Sequence, residues 1–284
     1  MPYMRTFIRM RVFLLFSAFF SIPSTSIVSA TFRTSHAIPS KGTISFTGYP
    51  GLELKHNTDF EDVVKVNDHT LSLSIDHNFI FGGEGGARMW IEDDFSRSGN
   101  RCLAMELNNI TESRRNEFNI VNFEKLVGNE LFVSVWLYLP SDWRLHIPDV
   151  DWNWYELVMI FQEYAPWHPY LCIWVCQPAI TQPIFDVSVG GRDVDGTIFT
   201  LDEIKNFPLS RGKWFNVQYY LLRHQTNGVV KVWMNGILLC NRTGLVTKAR
   251  EEYFTTIAKI YYDDRDTFSP YQIWVDDLEI HCPP

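Results

Sequence analysis

Apolar residues alternate with polar or aromatic residues over most of the chain, which is the period of a β-strand rather than of a helix. Within residues 131–139 every odd position holds Leu or Val, while the even positions hold Phe, Ser, Trp and Tyr. Asn235-Gly236 separates two such runs and is the sequence most typical of a tight hairpin turn. The pattern predicts a chain that is β throughout, apart from one helical turn at residues 201–206. Further strands are predicted at residues 155–164, 214–222, 229–234, 237–240, 257–262 and 271–280.

The first thirty residues have the pattern of an export signal. Three arginines precede an apolar run over residues 12–22, and small residues follow it. The run is shorter than the ~20 residues that span a bilayer, and no later stretch is long and apolar enough to do so. We therefore expect residues 1–30 to be removed on secretion. No repeat or compositional break divides residues 31–284, so we expect one all-β domain, a jelly-roll sandwich of two antiparallel sheets.

The amino-acid composition argues against two classes of protein, disordered proteins and nucleic-acid-binding proteins. The chain is 46% hydrophobic and 15% aromatic, which rules out extensive disorder. Its 33 acidic residues exceed its 25 Lys and Arg, for a net charge of −8 that becomes −11 once the three leader arginines are gone. This balance argues against a nucleic-acid partner, which needs a basic footprint. Large β-sheet proteins and sugar-binding surfaces both favour such an aromatic content.

If the chain is exported as expected, its cysteines are predicted to form disulfides and its sequons to be possible glycosylation sites. In an oxidising compartment an even number of cysteines should pair and leave one over. Two N-x-S/T sequons, at Asn109 and Asn241, would accept glycans if the host is eukaryotic. The five cysteines are Cys102, Cys172, Cys176, Cys240 and Cys282.

One predicted strand, at residues 114–120, carries several polar side chains on a single face. Phe118 faces the core by parity, so Arg115, Glu117 and Asn119 share the opposite face. A surface ion pair between Arg115 and Glu117 is the plain structural alternative. A charged face in an aromatic-rich sandwich otherwise indicates a binding or catalytic surface.

Three further places combine polar groups with apolar or aromatic neighbours. Gln162 lies in an apolar strand and by parity shares a face with Val158. Lys259 and Tyr261 share a face in a later strand, and His168 lies among aromatic residues on a predicted loop. A buried amide, a sheet aromatic and a structural histidine are the alternatives for these positions.

The order of these residues along the chain resembles the jelly-roll polysaccharide lyases, a group that includes glucuronan, alginate and heparin lyases. The resemblance covers about residues 82–280 and implies a concanavalin A-like fold, a polysaccharide partner and no required cofactor. It rests on Arg115-Asn-Glu117-Phe118, Gln162, Gly212-Lys213-Trp214, Trp233-Met-Asn235-Gly236, Tyr261 and Trp274-Val-Asp276-Asp277, in that order.

A lyase removes the proton beside a uronate carboxylate and then expels the 4-linked oxygen, so the charge of that carboxylate must be neutralised by fixed donors. The resemblance implies that Arg115 and Gln162 are the neutralisers. It implies Tyr261 as base, acid or both, with Glu117 orienting Arg115. Because a tyrosine pKa is near ~10, cations such as Arg115 and Lys259 would have to lower it.

The chain departs from the family pattern at two places. Alginate lyases have a histidine two positions after the glutamine, where this chain has Tyr164, and His168 is the candidate substitute. The family's Lys-x-Gly-x-Tyr corresponds to Ile257-x-Lys259-x-Tyr261, so a lysine fills the glycine position. We expect a substrate-binding set of Glu117, Asn119, Tyr164 and Trp167.

Three functions compete. The first is a secreted lyase acting on an anionic uronate polymer. The second is a non-catalytic carbohydrate-binding module of lectin or laminin-G type, which the departures at Tyr164 and Ile257 favour. The third, a glycoside hydrolase, needs two carboxylates flanking the bond, and the chain has no Glu-x-Asp-x-Glu strand.

Asp276 and Asp277, near the end of the chain, are candidate ligands for a structural calcium ion.

The net negative charge of the chain sets a requirement that a lyase acting on an anionic polymer must meet. An acidic chain binds a polyanion only where cations are concentrated in its groove. Arg115 and Lys259, together with Arg192 or Arg265, would have to supply them.

Overall fold

The computed structural model describes the chain from residue 49 to its end, with gaps. The expected signal segment, Asn109, Tyr164, Trp167, His168 and Arg265 lie outside the described residues. None of the described residues forms a helix long and apolar enough to cross a membrane. The described ranges are 49–61, 65–67, 70–72, 78–83, 87–107, 115–120, 128–143, 154–163, 169–176, 185–251, 253–261 and 271–284.

All regular secondary structure within these ranges is β-strand. The helical turn predicted at residues 201–206 is wrong, because those residues belong to a long strand that pairs with its neighbour. The strands are β1 (Glu53–Thr58), β2 (Lys65–Asn67), β3 (Thr70–Ser72), β4 (Asn78–Gly83), β5 (Ala87–Glu92), β6 (Cys102–Leu107), β7 (Arg115–Ile120), β8 (Glu130–Leu139), β9 (Trp154–Glu163), β10 (Tyr170–Cys176), β11 (Phe185–Arg192), β12 (Ile198–Phe207), β13 (Lys213–Leu222), β14 (Gly228–Met234), β15 (Ile237–Leu245), β16 (Tyr253–Tyr261) and β17 (Tyr271–Cys282).

The strands form two antiparallel sheets. The first sheet has the order β15-β14-β13-β8-β17-β6-β5, with β1 paired to β17. The second has the order β12-β11-β10-β9-β16-β7-β4-β3-β2. The predicted all-β sandwich of two antiparallel sheets is confirmed. Asn235 and Gly236 link β14 to β15 with positive φ values of 50° and 77°, as the predicted hairpin turn requires.

The core lies between the inner faces of the two sheets. The odd positions of β8 are fully buried in it, as the alternation predicted. The even positions are not simply solvated, because further segments cover them. Tyr49 stacks on Phe132 with ring centroids 5.9 Å apart, and Phe95 packs edge-on against Tyr138 at 4.8 Å. The high aromatic content therefore serves the outer face of the first sheet as well as the core.

The cysteines do not follow the expectation from export. Those whose side chains are described, Cys102, Cys172, Cys240 and Cys282, are buried and free, so an even subset does not pair among them. Cys172 also shares the extended strand β10 with Cys176, which keeps the two apart. Burial is the main cause that raises the pKa of the Cys240 thiol to about 12 and that of Cys282 to about 11.

Asp276 and Asp277 accept hydrogen bonds from the segment that crosses the outer face of the first sheet. The Asp276 carboxylate accepts the backbone N–H groups of Arg97 at 2.7 Å and Ser98 at 3.2 Å. The guanidinium of Arg97 and the hydroxyl of Ser98 both donate to Asp277. Donors face these carboxylates, so the pair does not fit the structural calcium considered for it. No group of three metal-ligating side chains occurs in the described part of the chain.

Asp276 should make folding stability depend on pH. Burial, followed by the charge of Asp277, raises the pKa of Asp276 to about 7, although backbone N–H groups partly oppose the shift. An unfolded chain loses this proton near pH 4. The free energy of unfolding should therefore fall by roughly 2–4 kcal/mol as the pH rises from about 4 through 7. Urea unfolding at pH 5 and pH 8 should show a smaller difference for Asp276→Asn than for the unmodified protein.

The control for this prediction is Asp195→Asn, which removes an exposed carboxylate from the turn between β11 and β12. It should keep the full pH dependence. An Asp276→Asn variant with an unchanged pH dependence would contradict the assignment.

Candidate functional site

Three neighbouring strands of the second sheet, β9, β16 and β7, bring most of the predicted site residues together. Across β16 and β7, Tyr261 is the direct partner of Arg115, and Lys259 is the partner of Glu117. Asn119 lies opposite Thr256. For Arg115, Asn119 and Tyr261 the structure describes the backbone position alone. The two charged faces predicted separately for β7 and β16 are thus parts of one face.

The opposite side of these strands packs into the core. Phe118, Ala258 and Ile260 are all buried there. Ile257 is also buried in the core, at an irregularity of β16 that separates Thr256 from Ala258. The family's lysine position therefore holds a core residue in this chain.

A buried charge cluster ties the three strands together. The Lys259 ammonium lies 3.1 Å from the Glu117 carboxylate on β7 and in close contact with the Glu156 carboxylate on β9. All three side chains are about 95% buried. We call Glu117, Lys259 and Glu156 the charge triad. Its three members come from three strands, so it fixes the relative positions of those strands on this face.

The electrostatics of the charge triad keep Lys259 protonated. Burial acts to lower the pKa of Lys259, but the attraction of Glu156 and then of Glu117 outweighs it and leaves the pKa above its ordinary value. The positive charge of Lys259 is thus matched by two carboxylates. This arrangement contradicts the expectation that Lys259 lowers the pKa of Tyr261, because two carboxylates already offset the charge of Lys259. The pairing of Glu117 with Lys259 was also not predicted.

The parity prediction for Gln162 is wrong. The pairing of β9 with β10 has a register shift between Met159 and Phe161, and this single shift inverts the alternation between Val158 and Gln162. Val158 therefore points into the core. Gln162 pairs with Tyr170, which packs against a separate cluster built around Met159 on the other face. Half-buried Gln162 thus lies on the same face as the charge triad.

Gln162 lies far from the Tyr261 end of this face. Its partner on β16 is Phe254, seven residues before Tyr261, which corresponds to roughly 20 Å along the strand. Its other neighbour, Tyr170, pairs with Arg192 and is hydrogen-bonded to it. Burial raises the pKa of Tyr170 to about 12, although Arg192 partly opposes the shift. The face therefore has two ends, with Arg115 and Tyr261 at one and Gln162 at the other.

Glu156 is the residue that the sequence analysis missed. It lies in a strand as apolar as the one that drew attention to Gln162, and the same argument applied to residues 154–160 would have found it. Its partner Lys259 lies 103 positions further along the chain, which no short-range pattern indicates.

Comparisons with solved structures find several proteins that are similar to this chain. The crystal structure of alginate lyase vAL-1 from a Chlorella virus matches 77% of this chain and 98% of that chain, with a TM-score of 0.52 at 10% identity. Alginate lyase Aly36B in complex with alginate trisaccharide matches 69% of this chain and 87% of its own, with a TM-score of 0.47 at 12% identity. Domain 4 of the arabinanase AbnA from Geobacillus stearothermophilus, in complex with arabinotriose, matches 82% of this chain and 94% of its own, with a TM-score of 0.46 at 15% identity.

The chain therefore has a jelly-roll architecture like that of the Chlorella virus alginate lyase, as predicted. A family model described as polysaccharide lyase matches residues 47–279. The chain belongs to the polysaccharide lyase family. A search of curated proteins finds no match.

Proposed function

We propose that this protein is a secreted lyase that cleaves a uronic-acid-containing polysaccharide by β-elimination. The observation that carries the proposal is the direct pairing of Tyr261 with Arg115 on a face turned away from the core, in a chain of the polysaccharide lyase family. The charge triad borders this pair through Lys259 and Glu117. We place the reacting centre at this end of the face.

The reaction needs two kinds of group there. As the bond between C5 and its hydrogen breaks, the Arg115 guanidinium neutralises the uronate carboxylate that takes up the developing charge. The electron pair then forms the C4–C5 double bond and expels the 4-linked oxygen, which takes up a proton. Tyr261 is the proton-transferring group in this proposal. Arg115 is the cation that favours its ionised form, because the charge of Lys259 is already matched.

The remaining site residues are proposed as contacts along the polymer. Gln162, with Tyr170 and Arg192 beside it, would bind sugar units away from the reacting centre, which changes its role from the neutraliser suggested by resemblance. Asn119 would bind sugar closer to the centre. Tyr164, Trp167 and His168 stay predictions, as do the glycans at Asn109 and Asn241.

The test of the proposed function is the ultraviolet absorbance of the unsaturated uronate product. Purified protein should produce this signal from at least one member of a panel of homopolyuronates and of polymers that alternate uronate with neutral sugar. The same panel should be used for binding measurements without cleavage.

A carbohydrate-binding module is the second candidate, and the burial of Ile257 at the family's lysine position favours it. Binding to a polymer of the panel, with no absorbance from any of them, would overturn the lyase and support the module.

A further inference from the structure

The Gln162 end of the face carries a cation, Arg192. This residue ends β11, and its cross-strand partner Tyr170 also pairs with Gln162. Direct partners in a sheet share a face, so Arg192 points to the same side as Gln162. Its guanidinium donates a hydrogen bond to the Tyr170 hydroxyl and a longer one, at 3.4 Å, to the carbonyl of Gly196. Within the described part of the chain, no Asp or Glu forms an ion pair with Arg192.

The other cations of the second sheet whose side chains are described are engaged in ion pairs. Lys259 contacts the two carboxylates of the charge triad. Lys205 on β12 contacts the carboxylates of Asp186 and Glu203. Among the described side chains of that sheet, Arg192 is therefore the cation that is left to meet an anion from outside the protein.

The neighbouring acidic residue, Asp193, is bound within the turn that follows β11. Its Oδ1 atom accepts the backbone N–H groups of Asp195 at 3.0 Å and Thr197 at 2.9 Å. An arginine has five N–H donors, and the two contacts described above use two of those of Arg192. Because Arg192 is also partly exposed, its remaining donors can bind a ligand carboxylate in the two-bond arrangement that guanidinium and carboxylate groups favour.

Arg192 lies far from the reacting centre. The register places Gln162 roughly 20 Å from Tyr261 along the strand direction. Arg192 is in the same row as Gln162, and β11 is three strands away from β16, which adds about 14 Å across the sheet. The separation between Arg192 and Tyr261 is therefore about 25 Å. A polymer that reaches both positions must place several sugar units between them, and every unit of a polyuronate has a carboxylate to offer at Arg192.

We infer that Arg192 binds the carboxylate of a uronate several sugar units away from the cleaved bond, and that it thereby makes the protein favour long polyuronates over short oligomers. This inference rests on the proposed function, since it assumes that the polymer lies along this face with its reacting unit at Tyr261. Arg192 does not touch the reacting atoms. Its contact is equally strong in the ground state and in the transition state, so it should act on KM and leave kcat unchanged.

The experiment compares Arg192→Gln with the unmodified protein on a long homopolyuronate and on a trimer of the same sugar. The KM for the polymer should rise about three- to tenfold at low salt, because a partly exposed ion pair is lost, while kcat stays the same. The KM for the trimer should not change, since a trimer is too short to reach from Tyr261 to Arg192. The rise for the polymer should shrink near 1 M salt, where the screening length is about 3 Å.

The matched control is Lys213→Gln. Lys213 is an exposed residue at the start of β13 in the first sheet, so its replacement changes the net charge equally and should leave both KM values unchanged. Thermal unfolding of each variant checks the fold. If Arg192→Gln does not fold, Arg192→Lys replaces it. That variant keeps the charge but loses the two-bond geometry, so the KM for the polymer should still rise, about twofold, and the KM for the trimer should not.

Direct binding of the homopolyuronate, measured by calorimetry, separates failure of the inference from failure of the proposed function. Binding without cleavage overturns the proposed lyase, and the ratio of the Kd values of Arg192→Gln and the unmodified protein still decides the inference. A folded Arg192→Gln variant whose KM and Kd for the polymer are unchanged overturns the inference while the lyase stands. So does a variant whose KM rises equally for the trimer and the polymer. Failure of the unmodified protein to bind any polyuronate overturns both.

Discussion

Replacing Tyr261 by Phe should reduce the lyase activity to background, and Arg115→Ala should lower kcat by about 10²- to 10³-fold. The first change removes the hydroxyl that transfers the proton, a contribution of about 10²- to 10⁴-fold in comparable sites. The second leaves the substrate carboxylate without its neutralising cation at the moment its charge develops. Initial rates of product absorbance at saturating and subsaturating polymer would separate kcat from KM for both variants.

The control for this test is Gln162→Ala, which changes a polar residue on the same face but far from Tyr261. The register places Gln162 roughly 20 Å from Tyr261 along β16, so its loss should raise the KM more than it lowers kcat. Thermal unfolding of all three variants should confirm that the fold is kept. Activity that survives Tyr261→Phe would remove Tyr261 from the mechanism. A kcat loss in Gln162→Ala as large as that in Tyr261→Phe would contradict the two-ended arrangement of this face.

The fold was predictable because its signal is local. The alternation in β8 and the Asn235-Gly236 turn each follow from a few adjacent residues, and both are found in the structure. The segment at residues 201–206 shows the limit of that signal. Its Leu-Asp-Glu-Ile-Lys sequence is a good local helix former, but pairing with β11 makes it part of a strand.

The candidate site was predictable only in part, because it depends on register. Parity correctly placed Glu117 opposite Phe118, since β7 is regular. Parity failed for Gln162, because one bulge in β9, between Met159 and Phe161, changes the alternation and leaves no signature in the sequence. The contact of Lys259 with Glu156 depends on which strands become neighbours, and that follows from the topology of the whole sheet.

Breaking the ion pair between Arg223 and Glu163 should have the largest effect on stability. Arg223 follows β13 in the first sheet and Glu163 ends β9 in the second; their side chains are fully buried and lie 2.8 Å apart. The guanidinium also donates to the carbonyl of Arg250 at 2.9 Å and lies over the ring of Tyr253 at 3.6 Å. The backbone N–H of Ala249 donates to the Glu163 carboxylate at 2.9 Å. This one pair therefore joins both sheets to the segment that leads into β16.

Arg223→Ala or Glu163→Ala should lower the free energy of unfolding by about 3–5 kcal/mol, because each leaves an uncompensated charge in the interior. Urea unfolding measures the loss. The matched control is Arg242→Ala, which breaks a 2.6 Å pair with Asp202 whose arginine is half exposed and should cost about 0–1 kcal/mol. The double variant Arg223→Met, Glu163→Leu should be more stable than either alanine variant, since it buries no unpaired charge. A loss in Arg223→Ala no larger than that in Arg242→Ala would show that the buried pair does not hold the two sheets together.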